Sequence, residues 1–343
     1  MPKLNSHSYS EYGRVTDPID YKSIIQQLPS KVEDIGKIVR NLIIHHNMVV
    51  YNDVPLDIQK QMIKIRPVYI PTIFEKMNIK GTDDLLKSRP PSKRILGACR
   101  LESHFLASML KTKGFKVRLR AGYFKNIRQN RSYEIDYWTK NGEGKGIMAD
   151  LLANDPQEWH RSMREWLEHQ NDVDHHIEHW LCEIYNEERG IWQILDANTD
   201  FLKTCFNIEV TLFLDKEYFE YAHEAWLQIR NYPNINPDRY MEEPQDGFSH
   251  IRSQMLFDYY SLLNFESAGL MANEKELLEF IKKREFSELT DKELITLDNM
   301  AQLLSSNPSI EELISFYRQN PVIQFDVISN DLYSFIPNPS AIA

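Results

Sequence analysis

Apolar and polar positions follow two different periods along this chain, and the period predicts which segments are helices and which are strands. Early in the chain, apolar residues recur at helical spacing at Val32, Ile35, Val39, Leu42 and Ile43. This spacing predicts an amphipathic helix, with Ser30 and Glu33 placed as a capping box before it and His45-His46 at its end. A second helix is predicted over about 56–65, because Arg66-Pro67 disfavours further helical backbone.

The clearest change of period lies between residues 99 and 123. Apolar side chains line one face of a helix predicted from Cys99 to about Leu110, and Gly114 supplies a C-terminal stop. Residues 115–123 then alternate between apolar and polar. Alternation of this kind predicts a half-buried strand.

A hairpin is predicted further along the chain. Residues 179–185 and 190–196 read as strands on either side of a polar four-residue loop, 186–189. With this loop, His179 lies directly opposite Asp196, on one face of the hairpin and within hydrogen-bonding reach. A three-residue loop would separate the two, so the prediction depends on the register.

The last third of the chain is predicted to be mostly helical. After Glu217, helical spacing relates Tyr221, Ala225 and Trp226. Further helices are predicted over about 248–264, 273–284, 290–305 and 309–318. The whole chain then divides into an N-terminal arm, a helical flank, a central core and a helical C-terminal region. The corresponding ranges are 1–20, 21–93, 94–215 and 216–343.

The composition excludes several classes of protein. Of 343 residues, 42% are hydrophobic and 26% are charged, which is typical of a globular protein rather than a disordered one. The net charge of −10 argues against a nucleic-acid partner. No apolar stretch suits a membrane span or a secretory signal, and three cysteines are too few and odd in number for a disulfide framework. We therefore expect a soluble, cytoplasmic protein with no membrane or nucleic-acid partner.

Cys99 is the residue best placed for chemistry. A cysteine at the start of a helix meets unsatisfied amide groups and the positive end of the helix dipole, which favour the thiolate. Gly97-Ala98 before it allows a close approach of the backbone, and the Cys99 amide can donate to an oxyanion. A catalytic thiolate also needs a base and a group that orients the base. The predicted neighbours His179 and Asp196 offer both.

This order of a helix-start cysteine, a strand histidine and an aspartate on the next strand resembles the core of the transglutaminase-like superfamily. The resemblance covers roughly 94–200 and is carried by Gly97-Ala98-Cys99-Arg100, Lys113-Gly114-Phe115-Lys116-Val117-Arg118, Glu178-His179-Trp180-Leu181-Cys182-Glu183-Ile184-Tyr185 and Trp192-Gln193-Ile194-Leu195-Asp196-Ala197. It implies an α+β, papain-like core in which the cysteine helix packs against an antiparallel sheet. It also implies cofactor-free acyl transfer, with Cys99 as nucleophile, His179 as general base and acid, and Asp196 as the residue that orients the imidazole.

Several features depart from the animal protein-crosslinking members of that superfamily. Arg100 stands where they carry a tryptophan after the nucleophile, and they use an upstream tryptophan as an oxyanion donor, whereas the first tryptophan here is Trp138. No acidic calcium-loop spacing is present. An insert at about 125–174 replaces a short connection. Within it, Trp159, Met163 and Trp166 recur at helical spacing and are interpreted either as packing or as a lid over the cleft.

The leading hypothesis is therefore a cysteine-dependent acyl-transfer enzyme that acts on a peptide, protein or acyl substrate, by hydrolysis or by amide formation. The alternative is an inactive member whose cleft binds a peptide or a carrier protein, because a second oxyanion donor is not identified. A third interpretation is a zinc site formed by His175, His176, His179 and Cys182. Residues three apart on a strand face opposite sides, which argues against it. Cys182 is expected in a core, and Cys205 is interpreted as an ordinary buried thiol.

Overall fold

The computed structural model describes residues 9–13, 15–64, 69–125, 176–209, 211–240, 247–266 and 286–324. Its helices are α1 Lys22–Gln26, α2 Val32–Leu42, α3 Met48–Tyr51, α4 Leu56–Lys64, α5 Ile70–Lys76, α6 Thr82–Leu86, α7 Cys99–Thr112, α8 Thr199–Phe206, α9 Ala222–Asn231, α10 Gly247–Leu262, α11 Asp291–Ser305 and α12 Ile310–Gln319. Its strands are β1 Ile43–His45, β2 Ile95–Gly97, β3 Val117–Phe124, β4 Ile177–Asn186, β5 Ile191–Leu195 and β6 Phe219–Tyr221. The helices predicted around Trp159 and over 273–284 lie outside the described residues, as does nearly all of the predicted insert.

An antiparallel sheet in the order β5-β4-β3-β6 is the centre of the fold, which confirms the predicted α+β class. α7 packs on one face of this sheet, in an apolar cluster that includes Leu119 and Cys182. α8 packs on the other face, in a cluster with Phe124 and Leu181. The parallel pair β1-β2 contributes Ile44 and Leu96 to this cluster and Ile43 and Ile95 to the α7 cluster. The helices α9 to α12 form a third cluster around Trp226.

The predicted hairpin loop is displaced by one residue in the structure, so its register is corrected. Asn186 pairs with Ile191, so the turn comprises residues 187–190 rather than 186–189. Asn186 Oδ1 accepts the amides of residues 188 and 189 at 3.1 and 3.0 Å, and Gly190 has a φ of +65° that suits a turn and not a strand. The pairing slips by two residues, an even number, so Asp196 stays on the face of His179 as a diagonal neighbour.

β3 is buried on both faces, so the prediction of a half-buried strand is wrong. Arg118 and Arg120, on the face predicted to be exposed, are only 4% exposed. They pair there with Glu183 of β4 and Asp258 of α10. Asp258 also accepts the backbone amide of Ala121 at 2.9 Å, because β6 pairs only with the last three residues of β3 and leaves this edge open. Helix α10 therefore completes the edge of the sheet.

Most of the predicted helices are found, and the differences occur at their ends. α7 begins at Cys99 and is followed by Gly114 at a φ of +89°. The bounds of α10, α11 and α12 lie within two residues of the predictions. The capping box at Ser30 is wrong, because Lys31 is the N-cap of α2 and no side chain caps that helix. His45 lies in β1 rather than at the end of a helix. Within the described residues, no helix has the length and apolarity of a membrane span.

Part of the predicted N-terminal arm is packed against the rest of the protein. The backbone amide of Val117 donates to Tyr9 O at 2.9 Å, at the start of β3. Thr16 is fully buried and donates to Glu266 Oε1 at 2.8 Å. Tyr9 is thereby held at the start of β3, and Thr16 is held by the segment that follows α10.

Candidate active site

Cys99 begins α7 directly after β2, whose residues alternate between two apolar clusters. Leu96 belongs to the cluster on the Phe124 face, whereas Ile95 and Leu101 belong to the cluster on the α7 face. Cys99 itself is partly buried against a third cluster, which contains Trp180 of β4. The candidate nucleophile therefore lies where the start of α7 meets β4.

The backbone before Cys99 lies close to β1 and to α7. A Cβ atom on Gly97 would lie 2.8 Å from Ile43 Cγ2 and 3.0 Å from Leu101 Cδ2, so only glycine lets β2 approach β1 this closely. Ala98 is the N-cap of α7 in an extended conformation and offers no side-chain acceptor. The first turn of α7 thus keeps the electropositive, amide-rich end that favours a thiolate.

The first turns of α7 contact β4 immediately before and after His179. Arg100 Nη2 lies 3.7 Å from Glu178 Oε1, and the Arg100 guanidinium lies 4.3 Å from the centroid of the Trp180 ring. Ser103 Oγ donates to Trp180 O at 2.9 Å. The structure therefore brings the start of α7 to the segment of β4 that carries His179.

His179 and Asp196, which the hairpin predicts as neighbours, are hydrogen-bonded. His179 Nε2 donates to Asp196 Oδ2 at 2.6 Å, and Asp196 Oδ1 accepts the backbone amide of Asn198 at 2.8 Å. The ring of His179 stacks on Phe124 with 4.2 Å between centroids. Both partners are at most 2% exposed. Since one ring nitrogen and one ring face are fixed, the imidazole is held in a defined orientation, with Nδ1 directed away from Asp196.

The two cysteines whose side chains are described have different environments. Cys182 is fully buried, and its Sγ donates to Ser103 O at 3.1 Å, which confirms its predicted place in a core. Burial raises the pKa of the Cys182 thiol. Cys99 is partly exposed. The cysteine at the helix start is therefore the accessible one of the two.

A further polar group beside Asp196 is missed by the sequence analysis. Glu102 lies one turn into α7 and is 3% exposed. Burial raises its pKa well above the ordinary value, and the negative charges of Asp196 and Asp200 raise it further. Within the described part of the chain, Glu102 Oε2, Arg40 Nη1 and Asn198 Nδ2 are buried without a hydrogen-bond partner. An acidic residue in the first turn of a helix has an ordinary explanation in the helix dipole, which hides this signal in the sequence.

The histidines considered for zinc bind other groups. His176 Nδ1 lies 2.8 Å from Glu220 Oε2, and its Nε2 lies 2.6 Å from Arg239 Nη2. His175 lies outside the described residues. Among those that are described, no three His, Cys, Asp or Glu side chains come together in a group that could hold a metal ion. The zinc interpretation therefore has no support from the described side chains.

Comparison with known proteins finds no relative of this chain. No protein-family model matches the chain, and no match is found among curated proteins or among solved structures. The functional interpretation therefore depends on the residues and the geometry given above.

Proposed function

We propose that this protein is a cysteine-dependent acyl-transfer enzyme with a transglutaminase-like core. Cys99 is its nucleophile, His179 its general base and acid, and Asp196 the residue that orients the imidazole. The observation that carries the proposal is the 2.6 Å hydrogen bond between His179 Nε2 and Asp196 Oδ2, buried next to the start of α7. A base fixed by a third group, on the strand segment that the start of α7 contacts, fits the arrangement that nucleophilic catalysis needs.

The reaction proceeds in two steps. His179 accepts the thiol proton, and the Cys99 thiolate attacks the acyl carbon, forming a C–S bond. The bond to the departing amine or thiol breaks, and that group leaves with the proton from His179. Water or an amine then gives a proton to His179 and attacks the thioester, which releases the acyl group and restores the Cys99 thiol. The amide of Cys99, at the uncapped helix start, donates to the oxyanion.

A reducing compartment suits this chemistry. A thiol nucleophile stays available where disulfides do not accumulate. We therefore place the enzyme in the cytoplasm. Its substrate is a peptide, a protein or a smaller acyl compound.

The pH dependence of alkylation tests the proposal. The rate of carboxamidomethylation of Cys99 by iodoacetamide is followed by mass spectrometry, with a Cys99→Ala variant to assign the peptide. We expect Cys99 to react at a pH clearly below the pKa of about 8.5 of a free thiol. His179→Ala removes this shift, and Asp196→Asn reduces it because the imidazole loses its charged partner. Buried Cys182 serves as an internal control for unfolding, since it reacts only when the core opens.

A Cys99 that reacts like free cysteine in the wild-type protein contradicts the enzyme proposal. It would favour the binding module, whose cleft holds a peptide or a carrier protein without turnover. If Cys99 reacts below the pKa of a free thiol, the protein is incubated with a substrate library and its intact mass is measured. An acyl adduct should appear on the wild type and be absent from Cys99→Ala.

A further inference from the structure

Arg100 is the residue next to the candidate nucleophile, and two aromatic rings hold its guanidinium in place. The guanidinium carbon lies 4.3 Å from the centroid of Trp180 and 5.1 Å from that of Phe257. Cys99 packs against the same apolar cluster that contains these two rings. Successive residues of a helix point in different directions. Arg100 and Cys99 nevertheless border the same apolar cluster.

The hydrogen-bond donors of Arg100 are not used by the described part of the protein. Its nearest acid is Glu178, whose Oε1 lies 3.7 Å from Arg100 Nη2, beyond hydrogen-bond distance. Glu178 is engaged elsewhere: Oε1 accepts from Trp180 Nε1 at 3.3 Å, and Oε2 lies 3.0 Å from His250 Nε2. The Arg100 side chain is about one-fifth exposed at this point, so its donors can be reached from solvent.

We propose that Arg100 forms a subsite for a carboxylate group of the acyl substrate, beside the Cys99 thiol. The proposal rests on the function proposed above and specifies its substrate class. Aromatic stacking fixes the plane of a guanidinium and leaves its in-plane N–H groups free for two parallel hydrogen bonds to a carboxylate. Arg100 therefore recognises acyl groups that carry a negative charge close to the reacting carbon.

The neighbouring Glu178 favours a carboxylate over a phosphate. Burial would raise the pKa of Glu178, but the hydrogen bond and charge of His250 and the charge of Arg100 outweigh burial and lower it to about 2. Glu178 is therefore ionised at neutral pH. A second negative charge doubles both the attraction to Arg100 and the repulsion from Glu178, whereas the cost of taking the anion out of water rises more steeply than its charge, so a singly charged carboxylate is favoured.

Two small alkylating reagents that differ only in charge test the subsite on the intact protein. Iodoacetate carries a carboxylate, whereas iodoacetamide has the same size and is neutral; in both, the Cys99 thiolate forms a C–S bond and iodide leaves. The measured quantity is the ratio of the two rate constants at Cys99. A change in the fraction of Cys99 that is ionised cancels in this ratio, because the same thiolate attacks both reagents. Constant ionic strength keeps screening equal in every sample.

We expect Arg100→Gln to lower the iodoacetate-to-iodoacetamide ratio about tenfold, the factor that the loss of one charge-assisted contact produces. Arg100→Lys retains an intermediate ratio, since it keeps the charge without the planar fork. Arg318→Gln, a matched loss of one exposed arginine at the end of α12, leaves the ratio at the wild-type value. Propionate, which carries a single carboxylate, slows the iodoacetamide reaction in the wild type but not in Arg100→Gln, and inorganic phosphate at equal ionic strength protects less.

Two outcomes separate the subsite from the function on which it rests. A Cys99 that reacts rapidly with iodoacetamide and needs His179, but with the same reagent ratio in Arg100→Gln and the wild type, overturns the subsite alone. A wild-type Cys99 that reacts no faster than free cysteine overturns the proposed function, whatever the ratio. Equal or stronger protection by phosphate overturns the preference for a carboxylate.

Discussion

β4 contributes to two buried polar groups, and they are built in different ways. Glu183 belongs to the first, which we call the ionic network, where Arg118, Arg120 and Asp258 complete the set with N–O distances of 2.6 to 3.0 Å. His179 belongs to the second group, at the candidate active site. There, Asp196 is fully hydrogen-bonded, but buried polar atoms of its neighbours Glu102, Arg40 and Asn198 have no partner among the described residues.

The difference between the two groups fits a structural role for the first and the proposed catalytic role for the second. In the ionic network each carboxylate faces a guanidinium, so the loss of contact with water is offset and the pairing fixes β3 between β4 and α10. Around Asp196 the polar groups are only partly compensated, which costs stability. Such a cost persists in a fold where the arrangement serves chemistry. Substitutions in the ionic network should therefore lower stability, whereas removing the charge of Glu102 should raise it.

Removing one carboxylate from the ionic network is expected to destabilise the protein most. Asp258→Ala leaves the buried Arg120 guanidinium without two of its hydrogen bonds and leaves the Ala121 amide without its acceptor. We expect the free energy of unfolding in urea to fall by about 3–5 kcal/mol, the range for a broken buried ion pair. Glu209→Ala, which removes an exposed pair with Lys203, should give no measurable change.

A double variant distinguishes pairing from simple packing in this network. Arg120→Met combined with Asp258→Leu removes both charges and keeps apolar volume, so it should recover most of the stability that Asp258→Ala loses. A small effect of Asp258→Ala would contradict the view that the network holds α10 on the edge of β3.

Acid should weaken the ionic network over a defined pH range. Burial alone would raise the pKa of Glu183, but the charges of Arg118 and Arg120 outweigh it and lower this pKa to about 2. A carboxylate with a lowered pKa stabilises the fold above its unfolded pKa of about 4.5, and this stabilisation is lost as the pH falls through 2. We expect Glu183 to account for about 3 kcal/mol of the stability lost between pH 5 and pH 2.

Unfolding free energies of the wild type and of Glu183→Gln, measured at several pH values, check this range. The variant should be less stable at pH 7, and the two curves should converge as the pH falls through 2, where Glu183 takes up a proton in the folded state as well as in the unfolded state. Parallel curves across the whole range would show that Glu183 keeps its ordinary pKa.

The group near Asp196 should respond in the opposite direction and by a smaller amount. Burial and the nearby carboxylates raise the pKa of Glu102, so its ionised form is disfavoured in the folded protein. This penalty is absent below the unfolded pKa of about 4.5 and grows as the pH rises above it. Glu102→Gln removes the titrating carboxyl and nearly keeps its volume, so we expect it to raise the free energy of unfolding at pH 7.

The stabilisation by Glu102→Gln should disappear near pH 4, which urea unfolding at both pH values would show. Glu102→Ala is the control for packing, because it removes the charge and also the volume. If Glu102→Gln lowers stability at pH 7, Glu102 is ionised and paired with Arg40, and the contrast between the two polar groups fails.

Local patterns were sufficient for several of these features. The helix from Cys99 and the glycine stop after it follow from apolar spacing and from one residue with a positive φ. The predicted contact between His179 and Asp196 is found despite the corrected register, because moving the strand pairing by two residues keeps every side chain on the same face of the sheet. The burial of Arg118 and Arg120 could not be predicted, since alternation alone does not reveal that distant Asp258 supplies a counter-charge.

The sequence by itself determined the periodicities and the glycine at the entry to α7, because these depend on neighbours a few residues apart. It named Cys99, His179 and Asp196 as candidates through their residue types and their order along the chain. Only the tertiary structure decided which polar side chains are compensated. Asp258 and Arg120 meet across a separation of 138 residues, and Phe257 reaches Arg100 from the same distant helix. Charge compensation and burial depend on residues that are brought together only by folding. The sequence could therefore indicate the candidate residues, but not the surroundings that set their burial and their pKa values.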